Sequence, residues 1–92
     1  MEIREVNAPS PVTSGKSFKL VIQHSTDCEG VTVSIRVIPN DTFSIDRSSV
    51  TLGAGTSTEA RSTVTRNTAA NDACSIKVTL GDSTRVATVE VT

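Results

Sequence analysis

Apolar and polar residues alternate along most of the chain. The alternation is clearest over residues 31–37, where Val and Ile are separated by Thr, Ser and Arg. A second alternating run follows the turn signal Ser14-Gly15-Lys16 and contains Phe18, Leu20 and Ile22. Because successive side chains of a strand point to opposite faces of a sheet, a period of two predicts half-buried β-strands.

Shorter runs complete a set of seven or eight predicted strands. They cover residues 3–6, 43–45, 50–52, 58–66, 76–80 and 85–91. Residues that favour turns, mainly Gly, Pro, Asn and Asp, separate them. The prolines at positions 9 and 11 withhold backbone donors, so we expect the first strand at the edge of a sheet. The connection 67–73, which contains Ala69 and Ala70, shows no helical period.

Nine large apolar side chains are expected to form the centre of the core. They occupy same-face positions on three predicted strands: Phe18, Leu20, Ile22, Val33, Ile35, Val37, Ile76, Val78 and Leu80. Short strands with turn residues between them are typical of a sandwich or barrel. We therefore expect an all-β chain that forms a Greek-key sandwich, with residues 1–92 as a single domain.

Two segments carry a resemblance to a known family. PVTSGKSFKLVIQ, residues 11–23, resembles the opening of many bacterial and archaeal immunoglobulin-like surface modules. FSIDRSSVTLGAGTSTEARSTVT, residues 43–65, followed by 75–80 and 87–92, resembles their closing strands, and the adhesion-related CARDB modules are similar. The resemblance implies an immunoglobulin-like Greek-key β-sandwich of seven or eight short strands. The chain has no Trp and no mid-strand cysteine pair, which sets it apart from antibody domains.

Composition favours strands and narrows the choice of partners. Thr and Val contribute 14 and 12 residues, whereas Leu, Met and Glu contribute only 3, 1 and 5. The net charge of -1 argues against nucleic acid as a partner. No apolar stretch approaches the roughly 20 residues that a membrane helix needs, so we expect no membrane insertion. The segment that follows Met1 lacks the apolar core of a signal peptide, and any secretion signal is expected in a longer parent chain.

The residue inventory offers little for catalysis. His24 is the only histidine, and no nucleophile or carboxylate stands at a spacing that would support a triad. We therefore expect His24 to be a surface or rim residue with satisfied hydrogen bonds. Gly53-Ala54-Gly55 lacks the following Lys and helix of a phosphate-binding loop and is expected to be a turn. The sequence predicts no catalytic residue, no enzymatic activity and no cofactor.

Three acidic residues are weak candidates for a calcium site. In an immunoglobulin-like topology the loops 25–30 and 81–84 lie at the same end, which would bring Asp27, Glu29 and Asp82 near one another. These residues lack the regular ligand spacing of calcium loops, so we expect the chain to fold without metal. Zinc is a weaker candidate still, because two distant cysteines and one histidine offer no close ligand pair.

Two features of the sequence bear on carbohydrate: its aromatic residues and a glycosylation sequon. Phe18 and Phe43 are the only aromatic residues and are predicted in the core, which excludes an aromatic platform for sugar rings. Weak glycan binding by polar side chains stays open. Asn40-Asp41-Thr42 is a glycosylation sequon in a predicted turn, which makes Asn40 a candidate glycan acceptor.

Cys28 and Cys74 present two conflicting expectations. In a small Thr-rich domain outside the cell they would be paired, closing a loop of about 45 residues that contributes ~4 kcal/mol in the chain-entropy model. The predicted topology instead puts Cys28 at one end of the strands and Cys74 at the other, ~20 Å apart and beyond the reach of a disulfide. Buried free thiols and pairing with another chain are the alternatives.

These observations predict a non-enzymatic spacer or adhesion module of a larger cell-surface or secreted protein. Its partner would be another protein or the neighbouring domains of its parent chain, with any contact at sheet edges and end loops. A structural or decoration component of a virion or appendage is the first alternative. An accessory glycan-binding domain of a secreted enzyme is the second.

Overall fold

The structure is a computed structural model that describes residues 1–68 and 72–92. The predicted connection 67–73 therefore falls partly outside the described residues, and Ala69 and Ala70 lie there. Within the described ranges the chain contains strands, one short 3₁₀ helix at Thr26–Cys28, and no α-helix. The strands are β1 (Ile3–Asn7), β2 (Ser17–His24), β3 (Thr32–Ile38), β4 (Phe43–Ile45), β5 (Ser49–Thr51), β6 (Ser57–Arg66), β7 (Ala73–Leu80) and β8 (Ser83–Glu90).

The strands form two antiparallel sheets. One sheet has the order β1-β2-β6-β4, and the other has the order β5-β3-β7-β8. The predicted all-β class is confirmed, and the arrangement is compatible with a β-sandwich. β1 lies at the edge of its sheet, as its following prolines predicted.

The period of two explains which side chains are buried. Along β2 the even-numbered residues Phe18, Leu20, Ile22 and His24 are buried, whereas none of the odd-numbered residues is. β3 follows the same rule, with buried residues alternating strictly with exposed ones. Eight of the nine predicted core residues are buried, and Leu80 is half-buried because it lies at the end of β7, beside the exposed turn at Gly81.

One apolar cluster takes side chains from both sheets. Beyond the eight predicted residues it contains Ile3, Val6, Val12, Cys28, Phe43, Leu52, Val64, Cys74, Val89 and Val91. Phe43 is fully buried although β4 is only three residues long. Leu52 is also fully buried, although it lies just after the end of β5. The two short edge strands also add Ile45 and Val50, which are half-buried and pack against the cluster.

Several strand boundaries differ from the prediction. β7 begins at Ala73 rather than at residue 76, and β8 begins at Ser83 rather than at residue 85. β8 begins early because the two-residue connection Gly81-Asp82 lets Leu80 pair directly with Ser83. β7 begins early because its pairing with β8 continues as far as Ala73 and Glu90. Gly81 has a φ of +56°, a conformation that glycine adopts without strain and that tight hairpin turns require.

The edges β1 and β8 lie side by side. The amide of Ile3 donates to Ser83 Oγ at 2.9 Å, and the Arg85 guanidinium donates to the Arg4 carbonyl at 3.3 Å. At the opposite end Val12 pairs in parallel with Val91, and the Val12 amide donates to the Glu90 carbonyl at 2.8 Å. Side chains at one end and backbone pairing at the other thus join the two sheets along this side.

Candidate functional site

His24 is a structural residue of the interior. It lies at the end of β2 and is 0% exposed, so the expectation of a surface or rim position was wrong. The expectation of satisfied hydrogen bonds was right, because Nδ1 lies 2.9 Å from the Ser25 carbonyl and Nε2 lies 2.9 Å from Thr58 Oγ1. A carbonyl can only accept, so Nδ1 donates to it.

Thr58 completes this buried network. Its hydroxyl oxygen accepts the amide hydrogen of Gly53 at 2.9 Å and is therefore free to donate its own hydrogen to His24 Nε2. The network ties the end of β2 to the start of β6 and to the turn before it. Both ring nitrogens of His24 are occupied by groups of the fold itself.

The predicted calcium candidates lie at the same end of the molecule but do not form a cluster. In residues 1–68 and 72–92, no group of three or more His, Cys, Asp or Glu side chains could hold a metal ion. The start of the chain separates the two loops: Glu2 exchanges hydrogen bonds with Ser25, and Ile3 bonds to Ser83. Asp27 and Glu29 are thus held on one side of the segment 1–3, and Asp82 on the other.

Asp27 has local partners of its own. The Ser25 hydroxyl donates to Asp27 Oδ1 at 2.6 Å, and the Met1 amino group lies 3.1 Å from Oδ2. The Ser25 hydrogen bond, followed by the Met1 amino group, holds the pKa of the Asp27 carboxyl below its usual range. Asp27 is therefore a charged anchor for the loop after β2.

Both cysteines are free and buried. Cys28 ends the 3₁₀ helix, and its Sγ lies 3.4 Å from Ser25 Oγ and 3.8 Å from the Glu2 carbonyl. Cys74 lies in β7 opposite Val89, at the other end of the strands, where its burial raises the pKa of the thiol. The two cysteines thus lie at opposite ends of the strands, as the predicted topology implied, and both are free thiols in this structure.

The sequon lies where the sequence predicted it. Asn40 and Asp41 are exposed in the turn between β3 and β4. Thr42 is buried, and its hydroxyl donates to Asp41 Oδ1 at 3.3 Å. Phe18 and Phe43 are both buried, which confirms that neither ring is offered to a sugar. Glycosylation of Asn40 stays a prediction.

Sequence reasoning missed a surface on the outer face of the second sheet. Arg36 of β3 lies directly opposite Lys77 of β7, and Lys77 lies directly opposite Val86 of β8. The next row on the same face contains Ile38, Ser75 and Thr88. We call these six residues the outer grid. Each looks like an ordinary solvent-facing strand residue, and only the register between strands far apart in sequence reveals the grouping.

The outer grid combines unpaired charge with exposed apolar surface. None of the ion pairs in the described part of the chain includes Arg36 or Lys77. Ile38 and Val86 are 46% and 51% exposed, and Met1 is the only other exposed large hydrophobic residue described. A shallow groove at the lower rim of the grid is lined by Arg36, Ile38, Lys77 and the turn that follows β3.

The remaining basic residues do not gather into one patch. Arg47 donates to the carbonyl of Arg61 at 3.3 Å, and Arg61 lies directly opposite Lys19, so these three are neighbours at the first sheet. Arg66 is near Asp72 at one end of the strands, and Arg85 bonds to Arg4 near the other. The distribution offers no continuous path for a phosphate backbone.

Comparisons with known proteins returned no match among protein-family models, curated proteins or solved structures. In the part of the chain that the structure describes, no helix has the length and apolar character to cross a bilayer.

Proposed function

We propose that the chain is a non-enzymatic, immunoglobulin-like structural module of a larger cell-surface or secreted protein. The sheet order supports the immunoglobulin-like part of the proposal. β1-β2-β6-β4 corresponds to the A-B-E-D sheet of such domains, and β3-β7-β8 corresponds to C-F-G, with β5 at the outer edge beside β3. The connections β2 to β3 and β6 to β7 cross between the sheets, as in a Greek key.

One departure from that topology involves the two shortest strands. β4, in the D position of the first sheet, precedes β5, which pairs with β3 in the second sheet. The chain therefore crosses between the sheets twice within residues 38–49. Strands of three residues expose few unpaired backbone groups, so this side of the molecule offers little surface for strand addition.

The observation that carries the spacer role is the position of the two ends of the chain. Ile3 lies beside Ser83 at the start of β8, whereas the Thr92 amide donates to the Val12 carbonyl beyond the end of β8. The length of β8 separates these points by ~23 Å. The molecule is elongated, with extents of 40 × 22 × 17 Å. Flanking domains joined to such a module would leave it in opposite directions, and a series of modules would form an extended stalk.

The side between β1 and β8 suits this role. The segments at Val12 and Val91 run parallel to each other. A force applied through the two ends of the chain would pull them in opposite senses along the strand axis and would not peel them apart. The backbone bonds from Val12 to Glu90, from Thr92 to Val12 and from Ser14 to Thr92 would then be loaded together. Bonds loaded together resist extension better than bonds that open one at a time.

Immunogold labelling tests the proposal. Antibodies against this chain, applied to intact cells of the organism that encodes it, are expected to decorate the outer surface. Sequencing of the full open reading frame is expected to show further domains on at least one side. Labelling confined to the interior would contradict the surface role, and labelling of virions or appendages would favour the first alternative. Specific binding on a glycan array would favour the second.

A further inference from the structure

The outer grid contains a juxtaposition that the fold does not need. Arg36 and Lys77 occupy directly opposite positions of adjacent antiparallel strands, where Cβ atoms are ~5 Å apart. Like charges at such positions destabilise a sheet, and within residues 1–68 and 72–92 no carboxylate forms an ion pair with either side chain. Asp41 lines the same groove but forms no ion pair with Arg36 or Lys77, and Glu90 lies opposite Ala73 at the end of β8.

The apolar members of the grid add a second cost. Ile38 lies two residues beyond Arg36 on the same face of β3, and Val86 lies beside Lys77 on β8. The first sheet also places two cations directly opposite each other, Lys19 of β2 and Arg61 of β6. There, however, Glu59 forms an ion pair with Lys19, and no large apolar side chain is exposed on the strands. Two cations without an ion-pair partner among the described residues, beside two exposed hydrophobic residues, form a surface that gains from being covered.

We propose that the outer grid docks an acidic, extended segment of a partner protein, with carboxylates placed over Arg36 and Lys77 and an apolar side chain over Ile38 or Val86. Charge complementarity carries this choice of partner. Carboxylates would relieve the repulsion between the two cations, and the flat face accepts an extended backbone lying across its strands. Two cations on a chain of net charge -1 are too few to hold a nucleic acid or a lipid surface. The inference deepens the proposed function, on which it rests.

The test uses a designed probe. A capped heptapeptide of alternating Asp and Val is titrated into the isotope-labelled chain, and backbone amide shifts are followed by NMR. We expect shifts confined to β3, β7 and β8 around the grid, saturating at concentrations up to ~1 mM and weakening as added salt screens the charges. The same peptide with Lys in place of Asp is expected to produce none.

Three variants separate binding from folding. Arg36→Ser with Lys77→Ser is expected to weaken the Asp-Val peptide by about tenfold or more, whereas Lys16→Ser with Arg61→Ser, which changes the net charge equally, leaves binding intact. Lys77→Glu provides the sharper test. It replaces a repulsive pair with an attractive one, so the melting temperature is expected to rise while peptide binding is lost. A merely structural role for Lys77 would not move stability and binding in opposite directions.

Three outcomes would overturn the inference: no shifts at the highest peptide concentration, shifts that map elsewhere, or equal binding of the Lys peptide. Concentration-dependent shifts without peptide that vanish in the double variant would identify a second copy as the occupant and overturn it too. None of these results bears on the immunogold experiment, so failure of the docking surface and failure of the surface role are distinguishable.

Discussion

The Ser83 hydroxyl lies 2.9 Å from the amide nitrogen of Ile3 and 3.3 Å from its carbonyl oxygen. One side chain of the second sheet thus satisfies both backbone groups of an edge residue in the first. Ile3 is fully buried. Because β1 is the edge strand of its sheet, no other strand of that sheet lies on its outer side to bond to the Ile3 backbone. Ser83 therefore takes the place of a neighbouring strand at this point.

Ser83→Ala is expected to destabilise the fold by about 1–3 kcal/mol, because it leaves the Ile3 amide without its partner. The measurement is the urea midpoint of unfolding. Ser34→Ala removes a hydroxyl of the same size from the exposed outer face and is expected to change the free energy of unfolding by less than about 0.5 kcal/mol. Equal effects of the two substitutions would contradict the role assigned to Ser83.

Thr58→Val should cost about 1–3 kcal/mol although it preserves the shape of the side chain. The substitution leaves His24 Nε2 and the Gly53 amide without the hydroxyl that serves both. Thr65→Val, on the exposed face of the same strand, is the matched control and is expected to be nearly neutral. Thermal unfolding of the two variants side by side provides the comparison, and a neutral Thr58→Val would show that the network contributes nothing to stability.

These two networks illustrate what the sequence could and could not predict. The inward faces of β2 and β3 were predictable because the period of two is a local pattern. Phe18, Leu20 and Ile22 all follow this pattern. His24 continues the same period two residues after Ile22, so the pattern itself indicated burial. Its polar chemistry favoured the rim, and the compensating Thr58 became visible only through the pairing of β2 with β6.

The loops that flank the start of β1 show a second limit on what the sequence could predict. The topology correctly suggested that the loops around Asp27 and Asp82 share one end of the molecule. It could not show that Glu2 and Ile3 lie between them, because that depends on hydrogen bonds to Ser25 and Ser83. Contacts between residues 23 and 80 positions apart have no local signal in a single sequence.

Ile35→Ala and Phe18→Ala are each expected to cost roughly 2–5 kcal/mol, because both side chains are buried in the shared cluster. A domain of this size has a total stability of only ~5–10 kcal/mol, so either change brings the chain close to unfolding. Thr63→Ala, on the opposite face of β6, is expected to cost less than about 1 kcal/mol. A larger loss for Thr63→Ala in denaturant titrations would place the strand register one residue away from the one described.

Removal of divalent cations is expected to leave the fold unchanged. The Asp27 carboxylate already accepts from Ser25, and the segment 1–3 keeps it apart from Asp82. The melting temperature should therefore be the same in EDTA and in millimolar calcium. A melting temperature that is several degrees lower in EDTA would show that the loops bind a cation and would contradict this prediction.

The Cys74 thiol is expected to make stability fall at alkaline pH. Burial raises its pKa above the ordinary value of 9.0, so the folded chain keeps a proton that the unfolded chain has already lost. The favourable contribution is complete below that ordinary value and disappears as the pH rises through the higher folded pKa. Urea midpoints of the native chain between pH 7 and pH 10 should therefore decrease.

Cys74→Ala isolates the contribution of this thiol to the pH dependence of stability. The variant leaves a small cavity and is expected to be less stable at neutral pH, but its stability should decline less steeply toward pH 10 because no buried thiol remains to ionise. Cys74 should also react slowly with a thiol reagent in the folded chain and rapidly in urea, since the thiolate is the reactive form. Parallel pH profiles for the native chain and the variant would contradict the raised pKa.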